Sequence, residues 1–362
     1  MNDAVQIAIK PRAQPTPAAA RAALLEDPGF GKVFTDHMIT ARWTAAEGWH
    51  DVQLRERAPL SLDPAAAVLH YAQEVFEGMK AYRLADGGVG LFRPAENAAR
   101  FARSAARMAM PPVPEDLFLR AIEALVRVDK DWIPSGEGSL YLRPFMFATE
   151  AFLGVRPAAE YTFCVIASAV GAYFKGGAKP VTVWVSDDYS RAANGGTGAA
   201  KCGGNYAASL LAQAQAAEHG CDQVVFLDSA EHRWVEELGG MNIFFVLDNG
   251  VLVTPPLGGT ILPGITRDCI ISLAHDLGLT VEERPYAFEQ WQADAASGRV
   301  REAFACGTAA VVASIGEVRH RGGAFALGNG SDGPVTRKLR DRLVAIQRGA
   351  GADEHAWLHH LA

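Results

Sequence analysis

Apolar and polar positions interleave along residues 34–43, 49–57 and 75–82, which predicts three β-strands. The turn Leu84-Ala-Asp-Gly-Gly88 then leads into a fourth at 89–92. There the period changes. Apolar residues at helical spacing run from Pro94 to Met110, with proline in the first turn and Pro111-Pro112 as the stop. A second helical pattern runs from Pro114 to Lys130, and β-like runs at 139–148 and 161–170 close this half. Glycines and a proline in Phe174-Lys-Gly-Gly-Ala-Lys-Pro180 mark a linker between two strand-like segments.

Beyond the linker, strands are expected at 181–186, 224–228, 234–239, 242–247, 251–254, 302–306 and 311–315. Asp248-Asn-Gly250 is a hairpin signal. Helices are expected over 206–219, after Pro263-Gly-Ile-Thr266, over 288–297 and over 335–348. A chain of 362 residues is past the size at which one core keeps growing, so the pattern reads as α+β in two domains. The division expected is a loosely ordered, flexible tail at 1–28, a small N-terminal α/β domain at 29–173, a linker at 174–180 and a larger domain at 181–362.

Composition narrows the function. Hydrophobic residues make up 49% of the chain, ample for a sizeable core, and the net charge of −7 disfavours nucleic acid or an anionic membrane as partner. No apolar run approaches the ~20 residues of a spanning helix. The first thirty residues carry Asp3, Glu26 and Asp27 and no continuous apolar core, unlike a signal peptide. Five cysteines form no CxxC, which predicts a reduced, cytoplasmic compartment and no structural metal. His355 and His359, four apart on an expected helix, have metal-ligand spacing, but no HExxH or neighbouring cysteine supports them, and a solvated face is the better reading.

Candidate chemistry centres on Asn194-Gly-Gly-Thr-Gly-Ala-Ala-Lys201-Cys-Gly-Gly-Asn205-Tyr206, where one long amine stands among residues with almost no bulk. Glycines let a backbone approach a flat ligand. Lys201 is then either a solvated loop lysine or a nucleophile whose amine is made neutral or held as a Schiff base. Walker and GxGxxG spacings are absent. Pro263-Gly-Ile-Thr-Arg267 leads straight into a helix and offers an anion site, unless Thr266 merely caps that helix. Gly307-Thr-Ala309 ends a strand with small residues and a hydroxyl. Glu236-Glu237 lies in a strand-like run, where neighbours face opposite ways, so either one carboxylate points to the core side and needs a partner or the two are solvated edge charges. A lysine amine, a carboxylate able to pair with a pyridinium and separate phosphate clasps are the parts that pyridoxal phosphate requires.

From about Phe34 to the C-terminus the chain resembles the branched-chain amino acid aminotransferases of the class IV, pyridoxal phosphate-dependent family. The resemblance rests on Phe34-Thr-Asp-His-Met38, Phe76-Glu-Gly-Met-Lys-Ala-Tyr82, Ser139-Leu-Tyr-Leu-Arg-Pro144 and Gly171-Ala-Tyr-Phe174. It continues through Lys201-Cys-Gly-Gly-Asn-Tyr206, Glu237-Leu-Gly-Gly-Met-Asn-Ile-Phe244, Thr254-Pro-Pro-Leu257, Ile261-Leu-Pro-Gly264 and Gly307-Thr-Ala309. It implies fold type IV, D-amino-acid-aminotransferase-like: a small α/β N-terminal domain and a larger mixed α/β domain with a pseudo-barrel. By position, Lys201 resembles the Schiff-base lysine that also shuttles the proton between Cα and C4′. Glu237 corresponds to the carboxylate on the pyridine nitrogen, and Tyr206 to the partner of the phenolic oxygen. Arg100, Ile265, Thr266 and Thr308 correspond to the phosphate contacts. Without the resemblance Arg100 reads as a surface charge, since Arg93, Arg103 and Arg107 are equally available. Tyr71, Phe76, Tyr141, Arg143, Tyr173 and Ala309 match positions lining the substrate pocket, although Tyr71, Phe76 and Tyr173 otherwise read as ordinary core.

The activity so implied is ping-pong transamination of leucine, isoleucine and valine with 2-oxoglutarate, by a cytoplasmic homodimer that binds neither nucleic acid nor membrane. D-amino acid aminotransferases and aminodeoxychorismate lyases share the fold, and the Tyr-Leu-Arg-Pro and Glu-Gly-Met-Lys-Ala segments argue against both. Two departures stand out. Vertebrate-type members carry a redox CxxC after Gly-Thr-Ala, where this chain has Ala310 and Ala313, so a thiol switch of that kind is not expected. Gly240 stands where some relatives have threonine, removing a hydroxyl beside the cofactor.

Overall fold

The computed structural model describes residues 6–171, 179–328 and 330–361. The chain divides into two compact units, Met1–Tyr173 with Ala200–Gly203 and Ile346–Ala362, and Phe174–Ala199 with Gly204–Ala345. The lysine segment and the last residues thus belong with the first unit, although sequence order puts them in the second half.

The first unit opens with β1 (Ala8–Lys10), α1 (Ala18–Glu26), β2 (Val33–Thr44) and β3 (Gly48–Glu56). A strand and a helix therefore occupy part of the stretch expected to be a loose tail. β1 lies parallel to β3, where its backbone groups find partners that a tail would leave to water. Next come α2 (Ala67–Tyr71), β4 (Glu74–Phe76), β5 (Met79–Arg83) and β6 (Val89–Phe92). The single strand expected at 75–82 is interrupted at Glu77-Gly78, where the Gly78 N–H donates to the Glu77 carboxylate at 3.1 Å. Helices α3 (Pro94–Arg107) and α4 (Glu115–Val128) precede the long strands β7 (Ser139–Ala148) and β8 (Glu160–Val170).

In α3, Ala98, Phe101 and Ala105 form an apolar stripe at helical spacing and are buried. The adjoining stripe Asn97, Arg100 and Ser104 is polar and equally buried. Arg103 and Arg107 are exposed. A buried polar stripe needs partners, and they lie on the site side described below.

The second unit is built on a closed barrel. It comprises β9 (Val181–Ser186), α5 (Gly203–Glu218), β10 (Gln223–Leu227), β11 (Val235–Leu238), β12 (Asn242–Leu247) and β13 (Leu252–Thr254). These are followed by α6 (Ile265–Asp276), β14 (Val281–Glu283), α7 (Phe288–Ser297), β15 (Val300–Gly307), β16 (Val311–His320), β17 (Gly323–Ala326) and α8 (Pro334–Gln347). The ring runs β11-β10-β9-β16-β15-β12 and closes where β12 returns to β11, through the register pair Glu237↔Asn242. Trp291 of α7 is fully buried against Phe245, with ring centroids 5.0 Å apart.

The final strand, β18 (Leu358–Leu361), pairs with β6 of the first unit. His359 is therefore on a strand and His355 on the turn before it, not one helical turn apart. His355 stacks on Trp357 and His359 Nε2 meets Glu123 at 3.0 Å. Among the described residues no group of three or more His, Cys, Asp or Glu is placed to hold a metal ion.

Candidate active site

Lys201 is held by its backbone. Ala200 and Cys202 on either side are buried in the core of the first unit. The Lys201 N–H donates to Ser104 Oγ on α3 at 2.9 Å, and the Lys201 carbonyl accepts from Phe76 N–H on β4, also at 2.9 Å. Two residues on, Gly203 N–H donates to the Glu74 carboxylate. Lys201 is thus pinned between β4 and α3, and the loose-loop reading is wrong. Its Nζ stands 4.9 Å from the Phe76 ring centroid.

The glycines around Lys201 serve a purpose the sequence reading did not give them. A Cβ on Gly203 would overlap the Glu74 carboxylate, and one on Gly198 would overlap the backbone of Thr260. These two positions are bare because other parts of the chain come close.

Arg100 is 4% exposed, not a surface charge. Its Nε and Nη2 fork onto Glu77 Oε1 and Oε2 at 2.7 and 2.9 Å. Asn97 Nδ2 adds a bond to Glu77 Oε2 at 2.7 Å, and Glu77 itself has no exposed surface. Burial pushes the Glu77 carboxyl up, but Arg100, Lys201 and Asn97 outweigh it and hold the carboxyl below its ordinary value. Glu77 went unnoticed in the sequence. Helical spacing alone does not single out Arg100, because Arg93 and Arg107 fall on the same stripe as Asn97 and Ser104; its contact with Glu77 does.

Phe76, Tyr141 and Arg143 are brought together. The Arg143 guanidinium carbon lies 4.8 Å from the Phe76 ring centroid, and Arg143 Nη2 donates to the Tyr141 hydroxyl at 3.2 Å. Arg143 Nε is buried with no hydrogen-bond partner among the described residues. Gly78 is bare because a Cβ there would overlap the Tyr141 hydroxyl. Tyr71 lies apart from this cluster. It is exposed, packs against His70, and its hydroxyl donates to the Leu153 carbonyl. Tyr173 and most of the expected linker fall outside the described residues.

The second unit gathers the remaining candidates around Glu237. Both Glu236 and Glu237 are buried, so neither is a solvated edge charge, and all four residues of β11 are buried. Glu237 Oε1 meets Arg191 Nη2 at 2.8 Å and the Leu262 N–H at 3.0 Å, and its Oε2 accepts from Asn242 Nδ2 at 3.1 Å. Glu236 accepts from Thr260 Oγ1 at 2.5 Å, and burial pushes its carboxyl up. Arg191 also donates to the Gly198 and Thr260 carbonyls. Arg191 and Asn242 are the partners that the sequence reading missed.

Asn242 organises this end of the barrel. Its Nδ2 also bonds the Leu262 carbonyl at 3.1 Å, and Gly264 packs so closely on its Oδ1 that a Cβ would not fit. That contact delivers the start of α6, and with it Ile265 and Thr266, beside Glu237. No side chain caps α6 at Gly264, so the reading of Thr266 as a mere helix cap is excluded and the first N–H groups remain suited to an anion. The turn Gly307-Thr308-Ala309 approaches Met241 and Gly240, and it ends on Val311 at φ +62°, an uncommon conformation for a β-branched residue. Tyr206, on α5, comes to the same end: a Cβ on Gly240 would lie 3.7 Å from its ring.

Comparison with known proteins follows the same outline. The profile of the family Amino-transferase class IV matches residues 74–318. A probable branched-chain-amino-acid aminotransferase of Streptomyces coelicolor is 58% identical over 358 residues, spanning 98% of this chain and 99% of its own. The branched-chain-amino-acid aminotransferase of Mycolicibacterium smegmatis is 54% identical over 99% of this chain and 98% of its own. Among solved structures, the Escherichia coli branched-chain amino acid aminotransferase superposes with a TM-score of 0.73 at 31% identity, covering 89% of this chain and 99% of that one. The branched-chain amino acid aminotransferase of Thermobaculum terrenum, in its PLP-bound holo-form, gives a TM-score of 0.71 at 27% identity, covering 89% of this chain and 98% of that one.

Proposed function

Because the chain belongs to the class IV amino-transferases, and within them to the branched-chain-amino-acid aminotransferases, we propose that it exchanges the amino group of leucine, isoleucine and valine with 2-oxoglutarate, using pyridoxal phosphate and Lys201. The observation that carries the site assignment is the pinning of Lys201 on both sides of its backbone, which holds the base of its side chain in one place. Bound pyridoxal phosphate supplies an electron sink for charge at the substrate α-carbon.

The chain's own residues fit that group. Lys201 Nζ would hold it covalently and, when its amine is free, would move the proton of the substrate Cα to C4′. Glu237, whose charge Arg191 supports, keeps a proton on the ring nitrogen. Tyr206 takes the phenolic oxygen. Arg100, Ile265, Thr266 and Thr308 take the phosphate, Arg100 with its orientation set by the fork on Glu77. Phe76 faces the aliphatic branch, and Arg143 with Tyr141 takes the second carboxylate of glutamate, a role for which the unpartnered Arg143 Nε is suited. Tyr173 and Ala309 are the remaining pocket positions; Tyr71, whose hydroxyl donates to the Leu153 carbonyl away from the Phe76–Tyr141–Arg143 cluster, is not placed in it.

We further assign the protein to the cytoplasm as a homodimer, a state that light scattering on the purified chain reads directly. No helix among the described residues is long and apolar enough to cross a membrane. Lys201→Ala should lower leucine–2-oxoglutarate exchange by at least about 10³-fold and abolish borohydride fixation of the cofactor to the chain. A variant that keeps near-normal turnover would remove Lys201 from the mechanism. A wild-type protein active on D-alanine but not on leucine, isoleucine or valine would overturn the substrate assignment.

A further inference from the structure

The segment Phe34-Thr-Asp-His-Met38 takes no part in the chemistry above, yet Asp36 and His37 are 5% and 4% exposed. Their side chains point to the N-terminal segment. Asp36 Oδ1 accepts from Arg12 Nη1 at 2.8 Å and from Thr16 Oγ1 at 2.7 Å, and its Oδ2 accepts from the Thr16 N–H at 3.0 Å and from Trp132 Nε1 at 3.3 Å. His37 Nε2 accepts from the Arg12 N–H at 3.0 Å, and its Nδ1 meets Asp129 Oδ1 at 2.6 Å. Since a backbone N–H can only donate, Nε2 is the bare nitrogen, and a neutral ring then carries its hydrogen on Nδ1 toward Asp129.

Besides these bonds the N-terminal segment is held by the pairing of β1 with β3 and by the ion pairs Arg12–Glu56 and Arg21–Asp131, and by little apolar burial. No residue of β1 or α1 is buried, and only partly buried Ile7 and Leu25 rest on the core. Immediately after α1, the Gly29 carbonyl accepts from Gly171 N–H at 3.1 Å, and Phe30 lies edge-on to Tyr141 with ring centroids 5.1 Å apart. A segment fastened at residues 12–16 thus ends against a residue of the Phe76–Tyr141–Arg143 cluster.

We propose that Asp36 and His37 form a polar latch that fastens residues 6–31 and, through them, seats Phe30 against Tyr141, so that both act as positioning residues for substrate. The coupling to substrate rests on the reading of Tyr141 as a pocket wall; the latch itself does not. Arg12→Ala/Thr16→Val loosens the latch from the strap side by removing two of the four hydrogen bonds to Asp36, leaving those from the Thr16 N–H and Trp132 Nε1. His37→Phe loosens it from the body side.

Measured on the holoenzyme, amide exchange over residues 6–31 should accelerate in both variants while β7 and β8 keep their protection. The leucine KM should rise roughly two- to tenfold, the worth of one edge-to-face aromatic pair, with kcat held. Phe30→Ala should reproduce the KM rise without the faster exchange. Unchanged exchange in the strap-side variant overturns the latch, also where His37→Phe fails to fold. Faster exchange with an unchanged KM overturns the coupling to substrate. Should the wild type use another amino donor, KM is read for that donor. The substrate reading then fails while the exchange arm still decides the latch.

Discussion

Four arginines lie between residues 93 and 107, and only Arg100 is both buried and forked onto a carboxylate. Position along the helix decides this: Arg93 and Arg107 lie on the same stripe but at its two ends, whereas Asn97, Arg100 and Ser104 in its middle turn toward Glu77 and Lys201. Breaking a buried pair by removing one partner leaves an uncompensated charge and costs about 3–5 kcal/mol. Glu77→Gln should destabilise the protein by about that amount, and Glu77→Gln/Arg100→Met by clearly less, as chemical denaturation will measure. The sign with pH follows from the lowered Glu77 carboxyl. Its stabilisation is present above its ordinary value of 4.5 and is lost as pH falls through the lower folded value. The Gln variant should therefore show a flatter loss of stability in acid than the wild type.

The lysine loop differs from an ordinary glycine-rich loop because its neighbours are backbone and carboxylate. Gly198 is pressed against Thr260, the two carbonyls being joined by Arg191, whereas a Cβ on Gly204 would meet nothing within 4 Å. Gly198→Ala should lower the melting temperature and disturb the Arg191–Glu237 pair. Gly204→Ala, in α5, should raise stability by roughly 0.5–1 kcal/mol, the propensity difference. Thermal unfolding of the two single variants side by side checks both directions; equal effects would mean that close approach does not explain Gly198. At this scale much was legible. Strand and helix positions follow from the period of apolar residues, and the turns from Gly, Pro and Asn. Short elements such as β1, β14 and β18 were not legible, because a three- or four-residue strand carries too few positions to show a period and owes its existence to a neighbouring edge.

The barrel joins residues far apart in the chain at one point. Its closing pair, Glu237↔Asn242, places the carboxylate that the sequence singled out, and the same asparagine holds the loop before α6. Burial on this scale also silences the thiols. All five cysteines are buried; burial pushes the Cys164 thiol up to about 12, and Cys306 and Cys221 are pushed up for the same reason. Iodoacetamide should therefore label the native protein at least ~10²-fold more slowly than the unfolded chain, and mild oxidants should leave transamination unchanged. Rapid loss of activity with one thiol modified would contradict this.

The sequence alone determined the chemistry available: one amine in a small-residue loop, a carboxylate in a strand, small-residue turns at a helix start and a strand end, and the motifs that carry the family resemblance. These depend on residue type and spacing, which are local. Tertiary structure decided which groups are partners. It paired Arg100 with Glu77 and Glu237 with Arg191, it pinned Lys201 between β4 and α3, and it gave Asp36 and His37 a segment to hold. Burial and pairing arise between residues tens to more than a hundred positions apart, and no local pattern records which distant group will remove a side chain from water.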